Sequence, residues 1–168
     1  PGDRHAIFKS LSDLLYSEYQ ISVNDKKLSD AYTSICEEKV SSAQSIKGSE
    51  DSLEKLKLMG VKLFVSSATP EETLVNIINN RGISHFFDGI FGAPNTKEVH
   101  IQHVMKLFNL SSSEVVYIGD SEADRLAAHI LNCHFVGIGD DSSRFLIKPS
   151  ILLKSLHNLP KSLSLLES

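Results

Sequence analysis

Residues Val115–Asp124 read VVYIGDSEAD. Four apolar residues lead into Gly119, and two aspartates, Asp120 and Asp124, follow four positions apart. A run of β-branched and aromatic residues this short reads as a buried strand. EADRLAAHILN after it has helical spacing. The stretch is therefore a strand, a tight turn rich in acid, and a helix.

The same alternation extends in both directions. Upstream lie a helix in EDSLEKLKLMG ending near Gly60, a strand in VKLFVSS, a helix in TPEETLVNIINNRG with Pro70 in its first turn, a strand in FFDGIFG and a helix in KEVHIQHVMKLFNL. Downstream, HFVGIG reads as a strand and PSILLKSLHNL as a closing helix. Strands alternating with helices predict an α/β domain whose parallel sheet is covered on both faces. Residues 1–45 differ. AIFKSLSDLLYSEY and KKLSDAYTSICEEKV both carry helical periodicity, the second capped by Asn24 or Asp25, with Leu28, Ala31, Tyr32, Ile35 and Cys36 expected on one face. The expected organisation is a small helical subdomain over 1–45 and an α/β core over 46–168.

In an open parallel sheet, ligands gather at the carboxyl ends of the strands. Those ends carry Ser66, Ser67 and Thr69, then Gly119, Asp120 and Asp124, then Gly139, Asp140 and Asp141, while Lys97 opens a helix between them. Carboxylates, a hydroxyl and an ammonium converging on one edge suit a hard divalent cation and a phosphate.

These residues also resemble a known family. LFVSSATP, GAPNTKEVHIQHV and GDSEAD, in this order and with FFDGIFGAP between them, are similar to the second, third and fourth motifs of the haloacid dehalogenase superfamily, in its phosphoglycolate phosphatase and β-phosphoglucomutase branch. The resemblance covers roughly residues 45–140. It implies a Rossmann-like core with a helical cap, and magnesium-dependent phosphoryl transfer from a small phosphorylated metabolite through an aspartyl-phosphate. Residue by residue, it implies Ser67 as the phosphate hydroxyl with Ala68 beside it, Lys97 as the phosphate-neutralising amine, and Asp120 with Asp124 as the magnesium acids.

The departure from the family is its first motif, DxDx[TV], which supplies the nucleophilic aspartate. No Asp-x-Asp occurs anywhere in the 168 residues. The chain is expected to begin inside the family's cap, as a truncated form without the first, central strand. Its two neighbours, near 61–66 and 115–119, would then close up, accept another segment or chain, or leave a gap through which copies pair. The expectation is an inactive or impaired phosphatase; the alternative is a non-catalytic module that binds a phosphate ligand or a protein. A response-regulator receiver also sets acids at strand tips, but its acid pair comes before the Ser/Thr strand, whereas GDSEAD comes late.

Plainer roles compete at each position. Asp120 suits a helix cap, Asp124 a solvated acid, Ser67 a cap for the PEETL helix, and Asp140 and Asp141 a turn. His100 and His103, spaced i, i+3 with no third ligand, read as surface histidines rather than a zinc site. Asp3, Arg4 and His5 read as a loose N-terminus rather than a substrate loop, and the segment after Pro160 as a fraying tail.

Composition excludes other classes. Lys plus Arg is 17 and Asp plus Glu is 21, a formal charge of −4, which gives no support to nucleic-acid or membrane-surface binding. No apolar run approaches the ~20 residues of a membrane span. Cys36 and Cys133 form no CxxC pair and are expected as reduced thiols in a cytoplasmic protein.

Overall fold

The structure, a computed structural model, describes residues 4–163. Asp3 lies outside them, as do the side chains of Arg4 and His5 and the tail from residue 164, so those expectations are not met or refused here. The chain divides into two compact units, one ending at Ala43 and one beginning at Gln44.

The first unit is a pair of helices, α1 (Arg4–Tyr19) and α2 (Asp25–Ser42). Asn24 settles the start of α2: its side chain accepts the Lys27 N–H at 2.9 Å. Ser12 Oγ donates to the Val23 carbonyl at 2.6 Å, and the Phe8 and Tyr32 rings meet at 5.4 Å. The expected apolar face of α2 is shifted. Tyr32 and Ile35 stay exposed while Ser29 is buried, because one partner helix covers a seam narrower than the whole stripe.

The second unit runs α3 (Ser49–Leu58), β1 (Phe64–Pro70), α4 (Glu71–Asn80), β2 (Gly89–Ala93), α5 (Lys97–Phe108), β3 (Val116–Gly119), α6 (Glu122–Ile130), β4 (His134–Ile138), β5 (Ile151–Leu153) and α7 (Leu159–Leu163). It is the expected α/β architecture, with every strand pair parallel. Alternation along the strands divides the core. Tyr117 faces α5 and α6, where it packs with Ile101, Ala127 and Ala128. Val136 faces the other way, towards Leu56 of α3 and Leu159 of α7, with Val116 and Ile118 around them.

Two local expectations are corrected. Pro70 does not sit in the first turn of α4 but ends β1 and stands at the N-cap, where its missing N–H costs nothing. PSILLKSLHNL does not form one helix: Ile151–Leu153 pairs with Val136–Ile138, and only a short α7 follows from Leu159. The open edge of β4 recruits this apolar triplet, and tertiary pairing overrides the helical tendency of leucine.

The strands fall into two sheets, β1–β2 and β3–β4–β5, with no ladder between β1 and β3. Among the described residues no helix is long and apolar enough to cross a membrane. Cys36 and Cys133 are both free.

Candidate functional site

The turn after β3 is built by a reciprocal cap. Ser121, not Asp120, is the N-cap of α6. Its hydroxyl donates to Asp124 Oδ2 at 2.6 Å, and its backbone N–H reaches the same oxygen at 3.1 Å. In return Ser121 Oγ accepts the Asp124 N–H at 3.3 Å. This bends the chain so sharply that a methyl on Gly119 would lie 2.4 Å from Asp124 Cβ; only glycine fits there. Asp124 is thus a buried acid and not a solvated one.

Its other oxygen, Oδ1, receives the Lys97 ammonium at 2.5 Å. Lys97 is the first residue of α5, whose N-cap is Thr96. The residues at 97 and 124, far apart in sequence, therefore meet in a contact whose side chains are only 23% and 9% exposed. Low solvent access strengthens such a pair and makes loss of one partner costly.

Asp120 is placed differently. Its side chain is 70% exposed, and its neighbour is Arg144, at 3.8 Å. It lines a cavity of about 610 Å³ that also takes in Gly119, Asp140, Asp141, Arg144, Ile118 and Ile138. Asp141 caps the turn at Ser142–Arg144, accepting the Ser143 N–H at 2.8 Å.

Ser67 occupies the irregular end of β1, where the register with β2 breaks between Ser66 and Pro70. Its Oγ accepts the Thr69 N–H at 3.1 Å and donates to Thr69 Oγ1 at 3.1 Å, which makes a compact hydroxyl-bearing turn; Ala68 between them is exposed. It does not cap α4, which has no side-chain cap. Lys97 and Asp124 are thus in contact, while Ser67 and Asp120 bond to other partners.

Hard carboxylate oxygens suit magnesium, but the donors here fall short of an octahedron. Both oxygens of Asp124 are engaged by Lys97 and Ser121. Among the described residues no group of three or more His, Cys, Asp or Glu is placed to hold a metal ion. The described residues do not by themselves fit a magnesium ion.

Sequence reasoning missed a second polar cluster. His100 is not a surface histidine: it is 3% exposed, and its ring touches Ser66 and the Gly92 carbonyl. Tyr117 reaches the same Ser66. Burial, aided by the nearby Asp124 charge, pushes the Tyr117 phenol up to about 12, while burial pushes the His100 imidazole down. The signal was present: His100 stands one helical turn from Lys97, and period-two alternation turns Tyr117 away from Val116 and Ile118. Arg144, the partner of Asp120, left no such signal in the sequence.

Residues 5–138 match a family model described as haloacid dehalogenase-like hydrolase. A phosphoglycolate phosphatase of Pasteurella multocida (strain Pm70) is 29% identical over 94 residues, which is 53% of this chain and 42% of that protein. The match spans less than half the length of the curated relatives. Among solved structures, a predicted phosphoglycolate phosphatase from Haemophilus somnus 129pt superposes with a TM-score of 0.77 at 19% identity, covering 94% of this chain and 76% of that one. A β-phosphoglucomutase from Clostridium difficile superposes at 0.70 with 24% identity, covering 95% and 75%. At these identities the superpositions show a shared fold.

Proposed function

Because the chain belongs to the haloacid dehalogenase-like hydrolases, we propose that it carries the phosphate-holding part of a phosphatase site and lacks the nucleophile that would make it turn over. The substrate class is a small phosphorylated metabolite. Lys97 supplies the ammonium that neutralises phosphate charge, and Ser67 supplies a hydroxyl, with Ala68 beside it offering its backbone. Asp120, whose carboxylate stands exposed after β3, would be this chain's share of a magnesium shell, with the remaining oxygens from elsewhere; Asp124, engaged by Lys97 and Ser121, would join it only on releasing one of them.

The observation that carries this reading is the Lys97–Asp124 contact at 2.5 Å, which joins the start of α5 to the start of α6. The matched relatives named as phosphoglycolate phosphatases support the substrate class. The impairment rests on the sequence, in which no Asp-x-Asp occurs. On this reading residues 1–45 belong to a helical cap and 46–168 to the α/β core. The open strand edges offer a route to pairing between copies, and free cysteines accord with a cytoplasmic location.

Purified chain is expected to leave p-nitrophenyl phosphate unhydrolysed with magnesium present. Robust magnesium-dependent hydrolysis, abolished by Asp120→Asn, would overturn the proposal. A second reading, a phosphate-binding or protein-binding module without catalysis, shares the lysine and hydroxyl. Inorganic phosphate binding that Lys97→Ala removes is expected on both readings, since neither has this chain cleave a phosphoester.

A further inference from the structure

Three contacts run in series beneath the divided sheet. The Tyr117 hydroxyl lies 3.0 Å from Ser66 Oγ, Ser66 Oγ lies 2.9 Å from His100 Nδ1, and His100 Nε2 lies 3.1 Å from the Gly92 carbonyl. Their polarity follows from one end. A carbonyl only accepts, so Nε2 carries the proton. In a neutral ring Nδ1 is then an acceptor, and the Ser66 O–H must donate to it. Ser66 Oγ in turn accepts the Tyr117 O–H. A ring protonated on both nitrogens would leave the Ser66 hydrogen without its acceptor.

The series ties together four elements: β3 through Tyr117, β1 through Ser66, α5 through His100 and β2 through Gly92. It therefore bridges the two sheets where no backbone ladder does. His100 also sits in the first turn of α5, three residues after Lys97. Fixing that turn fixes the point from which the lysine reaches Asp124.

We infer that His100, as the Nε2–H tautomer bonded to Ser66 and the Gly92 carbonyl, is a positioning residue that holds the first turn of α5 so that Lys97 is presented at the phosphate site. The role of Lys97 rests on the function proposed above; the anchoring of the turn does not. His100 touches no proposed substrate position and acts through Lys97.

The test uses the whole chain and compares His100→Leu, which keeps apolar volume, with His100→Gln, whose amide can still donate to Gly92 and accept from Ser66. The readout is the acetylation rate of Lys97 against that of Lys106, an exposed lysine on the same helix. In His100→Leu, Lys97 is expected to label about tenfold faster relative to Lys106, the effect of losing one or two net hydrogen bonds. His100→Gln is expected to restore the wild-type ratio. Nitrogen NMR of the wild-type ring is expected to show Nε2 protonated and Nδ1 bare, and this holds as a test even where a variant fails to fold. An unchanged ratio in folded His100→Leu, or an Nδ1–H ring, overturns the inference. Added inorganic phosphate separates the two readings: failure to protect Lys97 in the wild-type chain sinks its phosphate role, while the labelling ratio and the ring signals still decide the anchoring.

Discussion

The helix pair α1–α2 and the α/β unit carry the same kind of apolar periodicity and put it to unequal use. In the α/β unit, helices on both faces of the sheet leave Leu56 only 1% exposed. In the helix pair, Ile35 remains 56% exposed, with Ile7 and Leu14 also open to solvent. A strand sheet between two helical layers buries residues of either parity. A helix with one neighbour buries only the seam it shares. Periodicity thus reports the kind of element, while burial depends on how many layers pack against it.

The largest expected effect lies in the layered region. Leu56→Ala should lose about 3 kcal/mol in denaturant unfolding, since it removes transfer energy and leaves a cavity. An intermediate effect comes from Asp88, which joins the end of α3 to the start of β2. Its carboxylate faces Lys57 at 3.0 Å, Lys62 at 3.2 Å and the Leu63 N–H at 2.9 Å. Burial alone would raise its pKa, but the Leu63 amide and the two ammoniums outweigh it and hold it at about 2, against 3.8 when unfolded. That contribution is complete above pH 3.8 and drains away as pH falls towards 2. Asp88→Asn should cost about 1 kcal/mol at neutral pH and flatten the acid limb of the stability profile below pH 4. The smallest effect is expected for Ile35→Ala, within about 0.5 kcal/mol. A loss at Ile35 matching that at Leu56 would mean the helix pair is packed as tightly as the sheet, and the contrast would fail.

Much of this was legible before any coordinates. The alternation of apolar runs and helical stripes gave the order of elements through β4, and the start of α2 was narrowed to Asn24 or Asp25, of which Asn24 is the cap. Ile151–Leu153 was not legible, because three apolar residues beside leucine-rich helix formers do not announce a strand; the open edge of β4 decides it. At the site, the places of Lys97 at a helix start and Asp124 after a strand, together with the motif resemblance, brought attention to both. It could not tell that Ser121 would take the cap and bury Asp124, leaving Asp120 outside beside Arg144. For His100 the one cue was its place a helical turn from Lys97; otherwise the two histidines three apart looked alike, and packing buries His100 while His103 stays in solvent. Contacts between distant segments are set by layers, and layers are not written in any local window.

The cap around Asp124 has a consequence for how such chains are read. This carboxylate is required by the turn itself: it satisfies Ser121, balances Lys97 and fills the space that Gly119 leaves. Those contacts belong to the turn and stand whether or not any chemistry takes place at the site. Persistence of the glycine-and-acid signature in a descendant is then a record of architecture, and turnover has to be demonstrated on its own.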